Sequence, residues 1–281
     1  MNTTPILLSV CCLAAFTSHA APRPKGIELG VSAYTFGHLT AFEAIEKTKA
    51  CGGEVIEFFL WQKLSPENPK VVLDMNLSDE HIAALQAKLK ATGVRAVNAY
   101  FNDAPFQDKA NVEVNVRKLF EFARKLDLRG LTGEPPMECL DVVEKMVKEY
   151  DLQLCFHNHY KRPEYRNWEP AYLLSLMDKR DPRMGFSVDT GHFTRSGVDP
   201  VETIKLFQRR VLSVHLKDIK EAKPDSFDVP YGQGIGNIAG ILAELKRQKF
   251  RGHVNVEYEH TTDQLLDDVK HCLNFIRTHK P

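Results

Sequence analysis

The chain has 281 residues, 43% of them hydrophobic, so it can bury a full core, and its length suits a single α/β barrel. Its 37 basic and 37 acidic side chains cancel, which excludes a global positive field that would concentrate nucleic acid. The expected partners are small, uncharged molecules, with no nucleic acid among them.

The first predicted element is a cleaved secretory signal peptide at residues 1–20. This segment has no charged side chain, is apolar from Ile6 to Phe16, and ends in Ser18-His19-Ala20, with small residues at the two positions that a signal peptidase reads. The apolar run is too short for a permanent membrane span. We therefore expect a secreted or periplasmic protein without a membrane span. The alternative is a cytosolic chain with an irregular N-terminus, since the segment lacks Lys and Arg.

Apolar stretches typical of strands alternate with helical patterns from residue 27 to the end. This alternation predicts a parallel sheet covered by helices, and eight strands are the number that closes a barrel. The sequence therefore predicts an α/β fold, a single-domain (β/α)8 TIM barrel over residues 21–281. The first strand is not followed by the glycine-rich turn that binds dinucleotides, which argues against a doubly wound sheet. The strand candidates begin near Ile27, Glu54, Val94, Leu128, Leu152, Met184, Val211 and Gly252.

Helix boundaries are marked in the first third of the chain. Thr40 and Glu43 form a predicted capping box, and Ser78 begins the second helix. Gly52 and Gly93 are expected to end the first two helices in the left-handed conformation. Four cysteines remain after residue 20, too few for a disulfide scaffold, although a bridge between Cys51 and Cys272 on neighbouring helices would be geometrically allowed.

Ionisable side chains stand at the ends of the last four predicted strands. Because side chains alternate along a strand, His157 and His159 lie on one side, as do Glu257 and Glu259. The carboxyl ends of barrel strands meet at one face, so these groups should converge there. Nitrogen donors mixed with carboxylates suit Mn, Co, Zn or Fe better than Mg or Ca. The full set is His157, His159, Asp189, His192, His215, Lys217, Asp218, Glu257 and Glu259.

Aromatic residues near the predicted mouth suit stacking against the apolar face of a sugar ring. Tyr34 and Trp61 are the candidates for substrate binding, and packing within loops is the alternative interpretation for each. Gln233 lies in a glycine-rich segment that can bring its backbone close to a ligand. Glu57, at the end of the second strand, and His192 complete the predicted substrate-binding set.

The strings GFSVDTGHF, SVHLKD and VNVEYE resemble the last three strands of the xylose-isomerase-like barrel superfamily of sugar isomerases, ketose epimerases, inosose dehydratases and apurinic endonucleases. The resemblance implies one divalent metal ion held by Glu, Asp, His and Glu from strands five to eight. Asp189, His215 and Glu257 match that pattern, whereas His157 stands in place of the first Glu. We predict His157 as the fourth ligand, with His159 or with Glu134, at the end of strand four, as alternatives.

The endonuclease relatives need further metal-binding histidines on strands two and three. Those strand ends read Glu57-Phe58-Phe59 and Asn98-Ala99-Tyr100-Phe101, without histidine. DNA cleavage is therefore not expected.

A signal peptide together with a His-x-His fifth strand resembles periplasmic enzymes that act on 3-keto-glycosides. The resemblance implies proton abstraction α to the carbonyl of a neutral sugar or keto-sugar, either by an isomerase or epimerase or by a 3-keto-glycoside 1,2-lyase or hydratase. His159 or His157 is the expected base, Glu259 or Asp218 assists the leaving group, Lys217 balances charge, and Glu134 is a further catalytic candidate. The alternative is a secreted carbohydrate-binding protein with a non-catalytic barrel site. Barrels of this type often pair, so a homodimer is one expected assembly.

Overall fold

Eight parallel strands form a closed barrel in the computed structural model, which describes residues 26–279. The predicted signal peptide lies outside the described residues. Each strand pairs with the next along the chain, and β1 pairs with both β2 and β8, which closes the sheet. The predicted fold is confirmed. The strands are β1 (Glu28–Ser32), β2 (Val55–Phe59), β3 (Arg95–Tyr100), β4 (Gly130–Gly133), β5 (Gln153–His157), β6 (Met184–Asp189), β7 (Val211–Leu216) and β8 (His253–Val256).

The helices cover the outside of the barrel, and two short hairpins project from its carboxyl-terminal end. One hairpin pairs Lys63–Ser65 with Asn68–Val72 after β2, and the other pairs Asp218–Ile219 with Asp228–Val229 after β7. Both lie where loops build the active sites of TIM barrels. The α-helices are α1 (Ala41–Ala50), α2 (Asp79–Thr92), α3 (Ala104–Gln107), α4 (Val112–Lys125), α5 (Leu140–Tyr150), α6 (Pro170–Leu176), α7 (Thr190–Arg195), α8 (Pro200–Phe207), α9 (Ile238–Arg247) and α10 (Leu265–Thr278).

The predicted helix boundaries are confirmed. Thr40 and Glu43 form the capping box of α1, and the Ser78 hydroxyl accepts from the His81 amide at the start of α2. Gly52 and Gly93 follow α1 and α2 with φ values of +85° and +71°. Cys51 and Cys272 are free thiols in the structure, without the bridge considered above. Within residues 26–279, no helix has the length and apolar character needed to span a membrane.

The interior of the barrel is more polar than its outer wall. The side chains that alternate outward from the strands, such as Leu29, Ile56 and Val188, pack under the helices. Those that alternate inward include several buried polar groups, so hydrogen bonding orders the centre of the barrel. The buried polar residues of the strands are Ser32, Glu57, Asn98, Thr132, His157, Ser187, Asp189, Ser213, His215, His253 and Asn255.

Candidate metal centre and catalytic cavity

Four predicted ligands from four consecutive strands meet at the carboxyl-terminal end of the barrel. His157, Asp189, His215 and Glu257 each place one ligand atom within 4.8 Å of the others, and all four residues are buried. His157 also belongs to a second group, with Glu134 and His159. The strand ends therefore converge as the side-chain alternation predicts.

The β5 and β6 ends are joined by Asn158. Its side-chain amide donates to the Asp189 carbonyl at 3.0 Å, and its Oδ1 accepts from the Asp189 amide at 2.9 Å. Asp189 is also the N-cap of α7, because its Oδ1 accepts from the His192 amide at 2.7 Å. The other oxygen, Oδ2, lies 3.6 Å from Nε2 of His157. The turn from β6 into α7 thus orients the Asp189 carboxylate.

His215 lies between two carboxylates. Its Nδ1 is 3.1 Å from Oε2 of Glu257, and its Nε2 is 2.9 Å from Oε1 of Glu57. Burial lowers the pKa of His215, but Glu257 and Glu57 outweigh burial and raise it well above its ordinary value. Burial raises the pKa of Glu57, yet His215 and His253 outweigh it and lower this pKa to about 2. Glu57 is therefore ionised and fixes the His215 ring.

The ammonium group of Lys217 lies among the carboxylates. Its Nζ is 3.1 Å from Oδ2 of Asp189, 2.8 Å from Oε2 of Glu257 and 2.9 Å from Oε2 of Glu259. Burial lowers the pKa of Lys217, but these carboxylates raise it well above its ordinary value. The charged lysine therefore offsets negative charge beside the cluster, in the place predicted for it.

The donor set fits a divalent cation. Both ring nitrogens of His157 are buried, and neither has a hydrogen-bond partner among residues 26–279. Burial lowers the pKa of His157, so the ring is neutral and has a free lone pair for a metal ion. His215 would give up one ring proton on binding the ion, and two imidazoles with two carboxylates then match the mixed shells preferred by borderline transition metals.

A family model described as "Xylose isomerase-like TIM barrel" matches residues 45–279. This match covers most of the chain, including all four strands of the metal centre. The chain belongs to the xylose isomerase-like TIM barrel family. The buried His/Asp/His/Glu cluster lies within the matched range.

Individual relatives share parts of the sequence or the whole fold. An inosose dehydratase of Clostridium tetani is 32% identical over 137 residues, which are 43% of this chain and 45% of that protein. The chain thus matches just under half the length of this curated relative. A solved structure of an uncharacterized protein from Parabacteroides distasonis is 27% identical, with a TM-score of 0.70 over 90% of this chain and 98% of that one. A D-allulose 3-epimerase from Methylomonas sp. is 16% identical, with a TM-score of 0.70 over 93% and 100%, and supports the fold alone.

A cavity of about 590 Å³ opens above the metal centre, within the range that holds small ligands in proteins. His157 and Glu257 form its floor, and His159, His192 and Glu259 line its walls. Tyr34 and Trp61 also line it and are 46% and 42% exposed, so both present ring surface to the cavity. Seven of the residues predicted from the sequence therefore border one space.

The imidazole of His159 is held by Glu134. The Glu134 carboxylate contacts Nδ1 of His159 and also accepts from the Tyr165 hydroxyl and the Asn167 amide. Burial raises the pKa of Glu134, but its contacts with His159 outweigh burial and lower it to about 2. With Nδ1–H directed at this carboxylate, a neutral His159 has its lone pair on Nε2. Glu134 thus prepares His159 to accept a proton.

Among the predicted site residues that do not line the cavity, three do not have the place expected of them. Asp218 accepts from the amides of Gly232 and Gly234 through Oδ2 and of Gly236 through Oδ1, so its carboxylate holds the glycine-rich loop instead of assisting a leaving group. Gln233, in that loop, is exposed but does not line the cavity. Glu57 is buried, contacts His215 and does not line the cavity.

Arg195 and Asp228 line the cavity although strand-end reasoning missed both. Arg195 on α7 donates to Oδ1 of Asp228 at 3.0 Å and to Oε2 of Glu259 at 3.3 Å. Burial raises the pKa of Asp228 to about 6, although Lys217 and Arg195 oppose the rise. A carboxyl group with this pKa can transfer protons near neutral pH. Arg195 lies three residues after His192, and this helical spacing was the one local indication that it faces the same cavity. Asp228 lies in a hairpin and not at the end of a barrel strand, so no such indication existed for it.

Proposed function

We propose that this chain is a divalent-metal-dependent enzyme that abstracts a proton α to the carbonyl of a neutral sugar or keto-sugar. The observation that carries the proposal is the His157, Asp189, His215 and Glu257 cluster on the floor of a cavity that also presents His159. A Mn, Co, Zn or Fe ion held by these four residues would supply Lewis acidity to the substrate carbonyl.

The chain's own residues provide the proton transfers. His159, oriented by Glu134, is the base that takes the proton from the carbon next to the carbonyl. Elsewhere on the cavity wall, Glu259 and Asp228 are joined by Arg195 and by the Glu259 amide, which donates to Oδ2 of Asp228 at 2.6 Å. Asp228, with a pKa of about 6, is the candidate acid on this side, and Glu259 orients a substrate hydroxyl.

We favour elimination because the two groups differ in kind: His159 is an imidazole base, whereas Asp228 is a carboxyl group whose raised pKa allows it to donate a proton to a leaving oxygen. When His159 removes the C2 proton of a 3-keto-glycoside, the C–H electron pair forms the new C=C bond, the bond from C1 to its oxygen substituent breaks, and the acid protonates that oxygen. Epimerisation instead needs proton transfer at the same carbon from both faces. The name of the inosose dehydratase relative, which denotes loss of water, also supports elimination. A sugar isomerase or epimerase is the other branch.

The test is proton NMR in heavy water, with metal-loaded protein and a panel of free ketoses and 3-keto-glycosides. Deuterium at the α-carbon together with release of the C1 substituent supports the lyase. Deuterium with an intact glycosidic bond supports an isomerase or epimerase. If no substrate exchanges a proton while sugars still bind after metal chelation, the proposal fails and a carbohydrate-binding protein with a non-catalytic barrel site replaces it.

We further propose, from the sequence of residues 1–20, that the protein is secreted or periplasmic. Expression of the full chain with a reporter fused after residue 281, followed by N-terminal sequencing of the exported product, tests this. A mature N-terminus at Ala21 supports the proposal, and an intact N-terminus in the cytosolic fraction contradicts it.

A further inference from the structure

A second cleft adjoins the catalytic cavity across a wall of aromatic side chains. It encloses about 540 Å³ and is formed by the segments that follow β1, β2 and β8. The two spaces meet along one wall, since four residues line both of them. These four are Tyr34, Phe59, Trp61 and Glu259.

Trp61 stands at this junction in an unfavourable backbone conformation. Its φ is +86°, in the left-handed region that bulky side chains avoid, and its side chain is 42% exposed. The turn is held because the Trp61 amide donates to the Leu73 carbonyl at 2.7 Å and the Leu73 amide donates to the Gln62 carbonyl at 2.8 Å. Such strain persists only where the surrounding structure imposes it, and it is concentrated at ligand sites. The fold therefore places a large aromatic side chain between the two spaces.

Ring contacts connect this face to the metal centre. Trp61 lies 5.1 Å from Phe59 and 6.1 Å from Tyr100 between ring centroids, and Tyr100 lies 5.2 Å from His157. All three pairs meet edge to face, a favourable aromatic geometry. A ligand in the second cleft would thus be adjacent to one held above the metal centre.

The second cleft also has an unsatisfied polar group. Gln62 lines it and is buried, and its Nε2 donates to the Leu39 carbonyl at 3.1 Å. Its Oε1 has no donor among residues 26–279. A buried acceptor without a partner costs about 1–3 kcal/mol unless a ligand or water supplies a hydrogen bond. A sugar ring has both an apolar face for Trp61 and hydroxyl donors for Gln62.

We propose that the second cleft is a subsite for a second neutral sugar residue. The substrate is then a disaccharide or longer glycoside whose reacting ring occupies the catalytic cavity. Trp61 stacks against the second ring, and Oε1 of Gln62 accepts from one of its hydroxyl groups. This assignment rests on the proposed function, because it defines the leaving group as a sugar.

Binding at this subsite can be measured without turnover. The chain has 2 tryptophans, so Trp168→Phe leaves Trp61 as the only indole fluorophore. This variant is titrated, metal-loaded, with glucose and with cellobiose, laminaribiose, maltose and trehalose. At least one disaccharide should change the Trp61 emission with a Kd roughly tenfold below that of glucose, the magnitude expected of one aromatic stacking contact. If none of the four disaccharides binds more tightly than glucose, the subsite is rejected.

Turnover then separates this subsite from the proposed function. The ratio of kcat/KM for the 3-keto disaccharide to that for 3-keto methyl glucoside is compared in the parent, in Trp61→Ala and in the matched Trp168→Ala control. Trp61→Ala should lower this ratio roughly tenfold, whereas Trp168→Ala leaves it unchanged. Gln62→Met, which keeps the side-chain length, should also lower it.

The two ideas fail in different ways. If both the 3-keto disaccharide and 3-keto methyl glucoside exchange a proton, and the ratio of their kcat/KM values is the same in all variants, the subsite is overturned. The proposed function then remains intact. A Trp61 emission change with disaccharide but no proton exchange in any substrate overturns the proposed function instead.

Discussion

Each carboxylate of the candidate metal centre has one oxygen held by the fold and a second that faces the other ligands. In Asp189, Oδ1 caps α7 and Oδ2 points towards His157. In Glu257, Oε1 accepts from the Ser32 hydroxyl at 2.9 Å and Oε2 lies beside His215 and Lys217. Ligands fixed in this way need little reorganisation to bind a cation.

The two roles of Asp189 can be separated by substitution. Asp189→Ala should remove most bound metal and most activity, and it should also destabilise the protein by about 1 kcal/mol because the cap of α7 is lost. Asp189→Asn can still cap the helix but loses the charge, so it should lose metal without the cap penalty. Metal content by mass spectrometry and urea unfolding measure the two effects. Full metal content in both variants would contradict the assignment of Asp189.

Glu57 should affect metal binding although it does not face the cavity. Glu57→Gln keeps an acceptor for His215 but removes the negative charge, so metal affinity should fall roughly 10–100-fold, as for other residues that support a metal ligand. Glu134→Gln is the matched control, because Glu134 supports His159. It should slow proton transfer with little change in metal affinity. Competition with a chelating dye gives both affinities, and equal values in parent and Glu57→Gln would refute this role.

Among the elements, the glycine-rich loop after β7 shows how close backbone approach restricts residue choice. Three amides of this loop converge on the carboxylate of Asp218, the second residue after β7. A side chain at Gly234 would place its Cβ 2.3 Å from Oδ1 of Asp218 and 2.4 Å from the Ile219 carbonyl. Only glycine fits there. The loop and the 218–229 hairpin are thereby anchored at the edge of the cavity that Phe227 and Asp228 line.

Gly234→Ala should therefore destabilise the protein by about 1–3 kcal/mol, because either the loop or Asp218 must move. Ile235→Ala is the matched control in the same loop, since Ile235 is 52% exposed and should cost less than about 0.5 kcal/mol. Urea unfolding measures both changes. A Gly234→Ala protein as stable as the parent would show that the loop tolerates a shift.

Across the whole molecule, buried polar groups connect the two ends of the barrel. Arg129 contacts Nδ1 of His253 at 3.3 Å, and Nε2 of His253 lies 3.3 Å from Oε2 of Glu57. Glu57 then contacts His215, which contacts Glu257 at the metal centre. This column replaces the apolar layers that usually fill such barrels, so the fold depends on the ionisation of its carboxylates.

Stability should fall steeply in acid. The pKa of Glu57 and that of Glu134 are lowered from 4.5 to about 2 in the folded protein, so the unfolded chain takes up protons first. Their contribution to stability is complete above about pH 4.5 and is lost as the pH falls towards 2. Urea midpoints between pH 7 and pH 3 should fall less in Glu134→Gln than in the parent. Glu67 is exposed, so the urea midpoint of the Glu67→Gln control should change with pH as in the parent. The same pH dependence of the midpoint in the parent and both variants would contradict this prediction.

The barrel and the convergence of the candidate metal ligands could both be predicted from the amino-acid sequence. Both depend on local signals: the alternation of strand and helical patterns, the caps at Thr40 and Ser78, and the ionisable groups at strand ends. Parallel topology then places these strand ends at one face, so His157, Asp189, His215 and Glu257 could be predicted to meet.

The contacts between individual polar groups could not be predicted in this way and are known from the folded structure. Glu57 and Asp218 looked like cavity residues, yet Glu57 pairs with His215, 158 positions away, and Asp218 with amides 14 to 18 positions away. Arg195 and Asp228 had no strand-end position to mark them, and they join through a contact 33 positions apart. The physical reason is that a buried polar group must find a partner, and the available partner is set by how the chain packs in space.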